Sequence, residues 1–90
     1  MYKFNTFEYK IIKNYKDAFN EEEVREKFTD YFDSYDYILG DIAYSKLRLK
    51  GFYNKENKKC NKINNYDDID NYIKDNCAYN CKYFILEKVK

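Results

Sequence analysis

The segment Phe7-Glu8-Tyr9-Lys10-Ile11-Ile12-Lys13 alternates apolar and polar positions at a period of two, which predicts a half-buried strand. The period changes after Asn20. An Asn followed by Glu21, Glu22 and Glu23 marks a helix start: Asn20 caps free amides, Glu23 stands where a capping box needs it, and three carboxylates suit the positive helix end. Val24, Phe28, Tyr31, Phe32 and Tyr35 then recur at helical spacing as one aromatic stripe. They predict a helix from about Glu21 to Ser34 with this stripe in the core. Tyr35 to Gly40 reads as a second strand, and a tight connection near Ile42 to Ser45 leads into a third, Lys46 to Tyr53. In that third strand Leu47 and Leu49 face one way and Lys46, Arg48 and Lys50 the other. Two strands so close together make an antiparallel hairpin.

Asn54 to Asn65 is a polar, lysine-rich loop, expected to be the most mobile part of the chain. Tyr66-Asp67-Asp68-Ile69 opens a second helix with Ile69, Tyr72, Ile73, Asn76 and Cys77 on one face. Cys81 to Lys88 is the last strand, and its continuous apolar centre predicts an interior place in the sheet. The chain is therefore expected to form one α+β domain over residues 1–90. Its small antiparallel sheet has about four strands with two helices, in the order β-α-β-β-α-β. A split β-α-β arrangement is the simplest topology. Gly51 is the one glycine inside the third strand's pattern. It predicts a bulge with positive φ that packs Phe52 inward and turns Tyr53 to the open face.

Composition narrows the function. A chain of 90 residues and 11.1 kDa buries about 65% of its unfolded surface, enough for one modest core. There is no run of 18 apolar residues, and Met1 to Asn5 resembles no secretion signal, so a cytoplasmic location is expected. The absence of His removes imidazole bases and imidazole metal ligands. Abundant Asn, Lys, Tyr and Ile reflect A/T-rich codons, which lowers the weight of any single lysine.

Charge is segregated although the net charge is +1. Asp17 to Asp36 holds eight acids and two bases, whereas Ser45 to Lys62 holds seven bases and one acid. Lys46, Arg48, Lys50 and Tyr53, with loop residues Lys55, Lys58, Lys59 and Lys62, make a candidate surface for RNA or a ribonucleoprotein, since bases stack on aromatics and phosphates pair with cations. The alternative is a protein partner that meets the acidic and basic regions with opposite charge. Lys50-Gly51-Phe52 also matches the start of an RNA-recognition-motif signature, but Tyr53-Asn54-Lys55 does not continue it. A magnesium nuclease would need an acid where Arg48 stands, so Asp41 is assigned with Asp36 to turns and their hydrogen bonds.

Three cysteines without His complete no four-ligand zinc site in one chain, and reduced thiols are expected. Cys77 and Cys81 form a weak candidate redox pair; the default is packed small hydrophobes. The expectation is a binding protein and not an enzyme, with no cofactor, metal, membrane or small-molecule substrate.

Tyr35-Asp36-Tyr37-Ile38-Leu39-Gly40-Asp41, then Leu47-Arg48-Leu49-Lys50-Gly51-Phe52-Tyr53, resembles the YutD family of small proteins from low-GC Gram-positive bacteria and their relatives. Cys77-Ala78-Tyr79-Asn80-Cys81, followed by Lys82-Tyr83-Phe84-Ile85-Leu86-Glu87-Lys88, is similar to that family's C-terminal end. Ile42 stands where an aromatic commonly follows Gly-Asp, and Asn80 where a glycine is common. The resemblance implies an α+β fold and a cytoplasmic home, and it carries over no catalytic residue.

Overall fold

The computed structural model describes residues 1–76 and 81–89, and in it the alternating segments become five strands. They are β1 (Tyr2–Phe4), β2 (Phe7–Tyr15), β3 (Tyr37–Ala43), β4 (Lys46–Phe52) and β5 (Lys82–Lys88). Helix α1 (Glu21–Lys27) precedes a 3-10 turn at Asp30–Phe32, and a second 3-10 turn at Tyr66–Asp68 runs into α2 (Ile69–Asn76). The sheet order is β1-β2-β5-β3-β4, with every neighbour antiparallel. β5 takes the interior place that its apolar centre predicts. It lies between β2 and β3, which therefore run parallel, so β2, α1 and β3 form a split β-α-β unit.

Two features correct the expectation. Strand β1 is the fifth strand; three residues are too few to show a period. Helix α1 stops at Lys27, because Phe28 and Thr29 turn extended. The break places the carboxylates of Asp30 and Asp33 each 2.6 Å from Asn5 Nδ2 in the β1–β2 turn. A tertiary contact thus overrides helix spacing. The start of the helix is as expected, with the Glu23 amide donating to Asn20 Oδ1 at 3.2 Å.

Alternation along the central strands divides the core into two layers. Ile38, Leu47, Phe84 and Leu86 pack with Phe4, Tyr9, Ala18 and Val24 on the α1 face. Leu39, Phe52 and Ile85 pack with Ile69, Tyr72 and Ile73 on the α2 face. Each fully buried side chain of this size contributes roughly 1.5–3 kcal/mol relative to exposure. Phe28, Phe32 and Tyr35 of the predicted stripe pack against the first layer, whereas Tyr31 is 67% exposed. Both sheet faces therefore carry a helix, and neither is an open platform.

Burial of phenols gives this core a pH limit. Tyr35 and Tyr37 are each pushed up to about 12, first by desolvation, then by hydrogen bonds to Tyr31 and Glu87 respectively. The Tyr37 ring also stacks on Tyr66 at 3.7 Å. The folded state holds these protons more tightly than the unfolded chain. The stability they contribute is complete below the ordinary tyrosine value of 10.0 and is lost as pH climbs towards 12. Melting temperature is expected to fall steeply across that interval, with tyrosinate absorbance lagging the titration of free tyrosine. Coincident titration of all the tyrosines, with no loss of stability, would contradict this.

Candidate interaction surface

The β3–β4 hairpin closes on Tyr44 and Ser45, both at positive φ, the geometry of a two-residue type I′ turn. Its register pairs Asp41 with Arg48 and Leu39 with Lys50. Asp41, 5% exposed, meets the guanidinium in a bidentate contact: Arg48 Nε donates to Oδ1 at 3.0 Å and Nη2 to Oδ2 at 2.6 Å. The Asp41 carboxylate holds the Arg48 guanidinium above its ordinary pKa. Nη2 also donates to the Asn76 carbonyl at the end of α2. Lys50 lies 5.2 Å from the ring centroids of both Phe52 and Tyr72.

These contacts correct the reading of β4 as an open cationic face. Lys46, Arg48 and Lys50 do share a side, but α2 packs there, and the last two are engaged by the fold itself. Asp41 serves a mid-strand ion pair and not a turn. Lys46 is exposed beside the hairpin tip.

Tyr53 is the second correction. It is 7% exposed, its ring lies 4.7 Å from that of Tyr35, and its hydroxyl is 3.2 Å from Ser34 Oγ. Gly51 has no positive φ, and the register through Ile38 and Gly51 is unbroken, so there is no bulge. Regular alternation sends Tyr53 to the side of Leu47 and Leu49. Gly51 is required by space instead: a Cβ there would sit 2.1 Å from Tyr35 Cγ.

Lys55, Lys58, Lys59 and Lys62 are exposed, as expected, on the loop between β4 and α2. This loop is laced internally. Asp36, 7% exposed, accepts from the Asn54 amide at 2.8 Å and from Asn57 Nδ2 at 3.1 Å. Asn54, Asn57 and Asn61 each cap a backbone amide two residues on. The Tyr53 amide donates to the Asn64 carbonyl, and the Tyr66 amide donates back to Tyr53. Asp36 therefore serves hydrogen bonds, as assigned, although they hold a distant loop. Asparagine content discounted as codon bias proves to organise this segment.

Two exposed apolar side chains flank the lysines and were not singled out in the sequence: Tyr44 at the hairpin tip, 93% exposed, and Ile63 in the loop, 74% exposed. Tyr44-Ser45 lacks the Asn-Gly chemistry that marks a type I′ turn, so no sequence signal pointed to the tip. On the acidic side Glu22, Glu23 and Glu26 are exposed along α1, while Glu21 pairs with Arg25 at 2.6 Å.

The thiols divide differently from expectation. Cys60 is a free cysteine, whereas Cys81 is buried and disulfide-bonded, against the expected three reduced thiols. Cys77 and Asn80 lie outside the described residues. Ile42, at the position where an aromatic is common, packs against the α1 layer. Among the described residues no group of three acidic or cysteine side chains is placed to hold a metal, and no helix is long and apolar enough to cross a membrane.

Comparisons with known proteins agree with this architecture. Residues 3–87 match the family described as "Putative antitoxin YutD-like". The chain is 39% identical over 83 residues to "Putative antitoxin YutD" of Bacillus subtilis (strain 168), covering 92% of this chain and 91% of that protein. It superposes on the solution NMR structure of protein yutD from B. subtilis with a TM-score of 0.78 at 37% identity, covering 97% of this chain and 79% of the other. The overall fold is therefore one already seen in a solved relative, and the chain belongs to the YutD-like family.

Proposed function

We propose that this protein is a non-catalytic, cytoplasmic binding module whose counterpart is another protein, the kind of counterpart that the word antitoxin in its relatives' description implies. The observation that carries this reading is the internal engagement of the groups an RNA platform would use. Arg48 is tied to a buried carboxylate, which would repel phosphate, and Tyr53 has no exposed face on which a base could stack. The sheet order also differs from a platform in which two central strands carry the aromatics, since β4 is an edge strand. The remaining cations are Lys46, next to exposed Tyr44 at the hairpin tip, and the loop lysines, whose segment also carries exposed Ile63. Mixed cationic and apolar groups of this kind suit a protein surface with acidic and apolar patches.

The test is crosslinked recovery of the tagged chain from its native cell, with and without RNase. A stoichiometric protein is expected to survive RNase and to be lost when Lys55, Lys58, Lys59 and Lys62 are all changed to Glu. Recovery that depends on intact RNA would overturn the reading.

A further inference from the structure

The two edges of the sheet are treated differently. In a two-residue hairpin the residues flanking the turn exchange both hydrogen bonds, so on β4 Lys46, Arg48, Lys50 and Phe52 direct their amides and carbonyls to β3. Leu47, Leu49, Gly51 and Tyr53 direct theirs outward. The same geometry on β1 makes Lys3 the outward residue, and there Arg25 Nη1 donates to the Lys3 carbonyl at 2.9 Å. The outward groups of Tyr53 are also taken, by Asn64 and Tyr66, in a parallel bridge between Tyr53 and Asn65. The chain thus already lays an extended segment along this edge at one end. Leu47, Leu49 and Gly51 have no backbone partner beyond β3 among the described residues.

We infer that the open edge of β4, from Leu47 to Gly51, takes an extended acidic segment of a protein partner as a sixth strand. This deepens the protein-binding reading and rests on it. Backbone pairing supplies the affinity in such an addition, and side chains alternating across the edge supply specificity. Here one side of the added strand would run beside Lys46, Arg48 and Lys50, and the other beside Leu47 and Leu49. Arg48 is committed to Asp41, so Lys46 and Lys50 supply the charge on that side. Acids at every second position therefore match the cationic side, and apolar residues match the other. A second copy of β4 fits poorly, because antiparallel self-pairing would set these three cations against their own copies. The same charges guard the edge against self-association.

The probe is the heptapeptide Val-Glu-Val-Glu-Val-Glu-Val, titrated into the full chain while amide exchange is followed by NMR. In the free protein the Leu47 and Leu49 amides are expected to exchange faster than those of Arg48 and Lys50. Saturating peptide is expected to slow them roughly tenfold. Leu49→Pro removes one outward amide without touching the β3 ladder, and it should abolish the response. Lys46→Glu with Lys50→Glu should do the same if the proline variant does not fold. No response at these amides, or an undiminished response in either variant, would overturn the inference. So would a peptide-free dimer that protects these amides, since a second copy would then be the occupant. A native partner that survives RNase yet still binds Leu49→Pro would refute the edge while leaving the protein-binding reading intact. RNase-sensitive recovery would refute that reading without bearing on the amides.

Discussion

Gly40→Ala is expected to destabilise this chain by about 3 kcal/mol. Gly40 lies directly across from Phe84 in the β3–β5 register. An added Cβ would sit 2.0 Å from Phe84 Cζ and 2.4 Å and 2.6 Å from the two adjoining ring carbons. Phe84 is 0% exposed and stands edge-on to Phe19 at 5.2 Å, so the ring has nowhere to swing. Here the glycine answers a demand for space and not for an unusual φ, as no glycine has positive φ. In a domain of this size such a loss lowers the melting temperature by roughly 15 °C. Adding Phe84→Leu should recover part of it, because the ring that meets the new methyl is withdrawn. A level melting temperature in Gly40→Ala would contradict the close approach of β3 and β5.

Arg48→Ala is the second large effect, expected at about 2 kcal/mol by urea unfolding. The substitution removes both charge-assisted bonds to a carboxylate that is 5% exposed, together with the bond to the Asn76 carbonyl. The loss stays below that of a fully buried pair because half of the guanidinium side chain is in solvent. Arg48→Lys should recover only part, since an ammonium cannot reproduce the fork. Asp41→Ala should cost less than Arg48→Ala, as the arginine left behind can be hydrated. Equal and small losses in both would show that the pair is ornamental to stability, and that the Arg48 side chain is available to an external anion.

Strand β4 shows how far the sequence can be read. Lys46 to Lys50 announced its own alternation, and the structure keeps it, with Leu47 and Leu49 against the α1 layer. Alternation says which side chains share a face but not whether that face is open. That depended on α2, which packs Ile69, Tyr72 and Ile73 with Leu39, Phe52 and Ile85 and brings Tyr72 to Lys50 and the Asn76 carbonyl to Arg48. The Asp41–Arg48 pair was likewise invisible until the two-residue turn set the register. Gly51 was misread for a related reason: its neighbour Tyr35 is distant in sequence, so a spatial requirement looked like a backbone one. The apolar centre of β5 was legible because burial on both faces leaves a continuous run. β1 was not, because its evidence is the partner β2 and not its own three residues.

The most direct test of the account is a salt-resolved titration of fluorescent single-stranded RNA with the purified chain, followed by anisotropy. With Arg48, Lys50 and Tyr53 engaged internally, no saturable binding is expected near physiological salt. Any weak low-salt signal should be unchanged in Arg48→Ser and should depend on Lys46 and the loop lysines. Saturable binding at physiological salt would contradict it. The contradiction would be complete if its log–log salt slope were near −0.7 per contacted phosphate and Arg48→Ser weakened it.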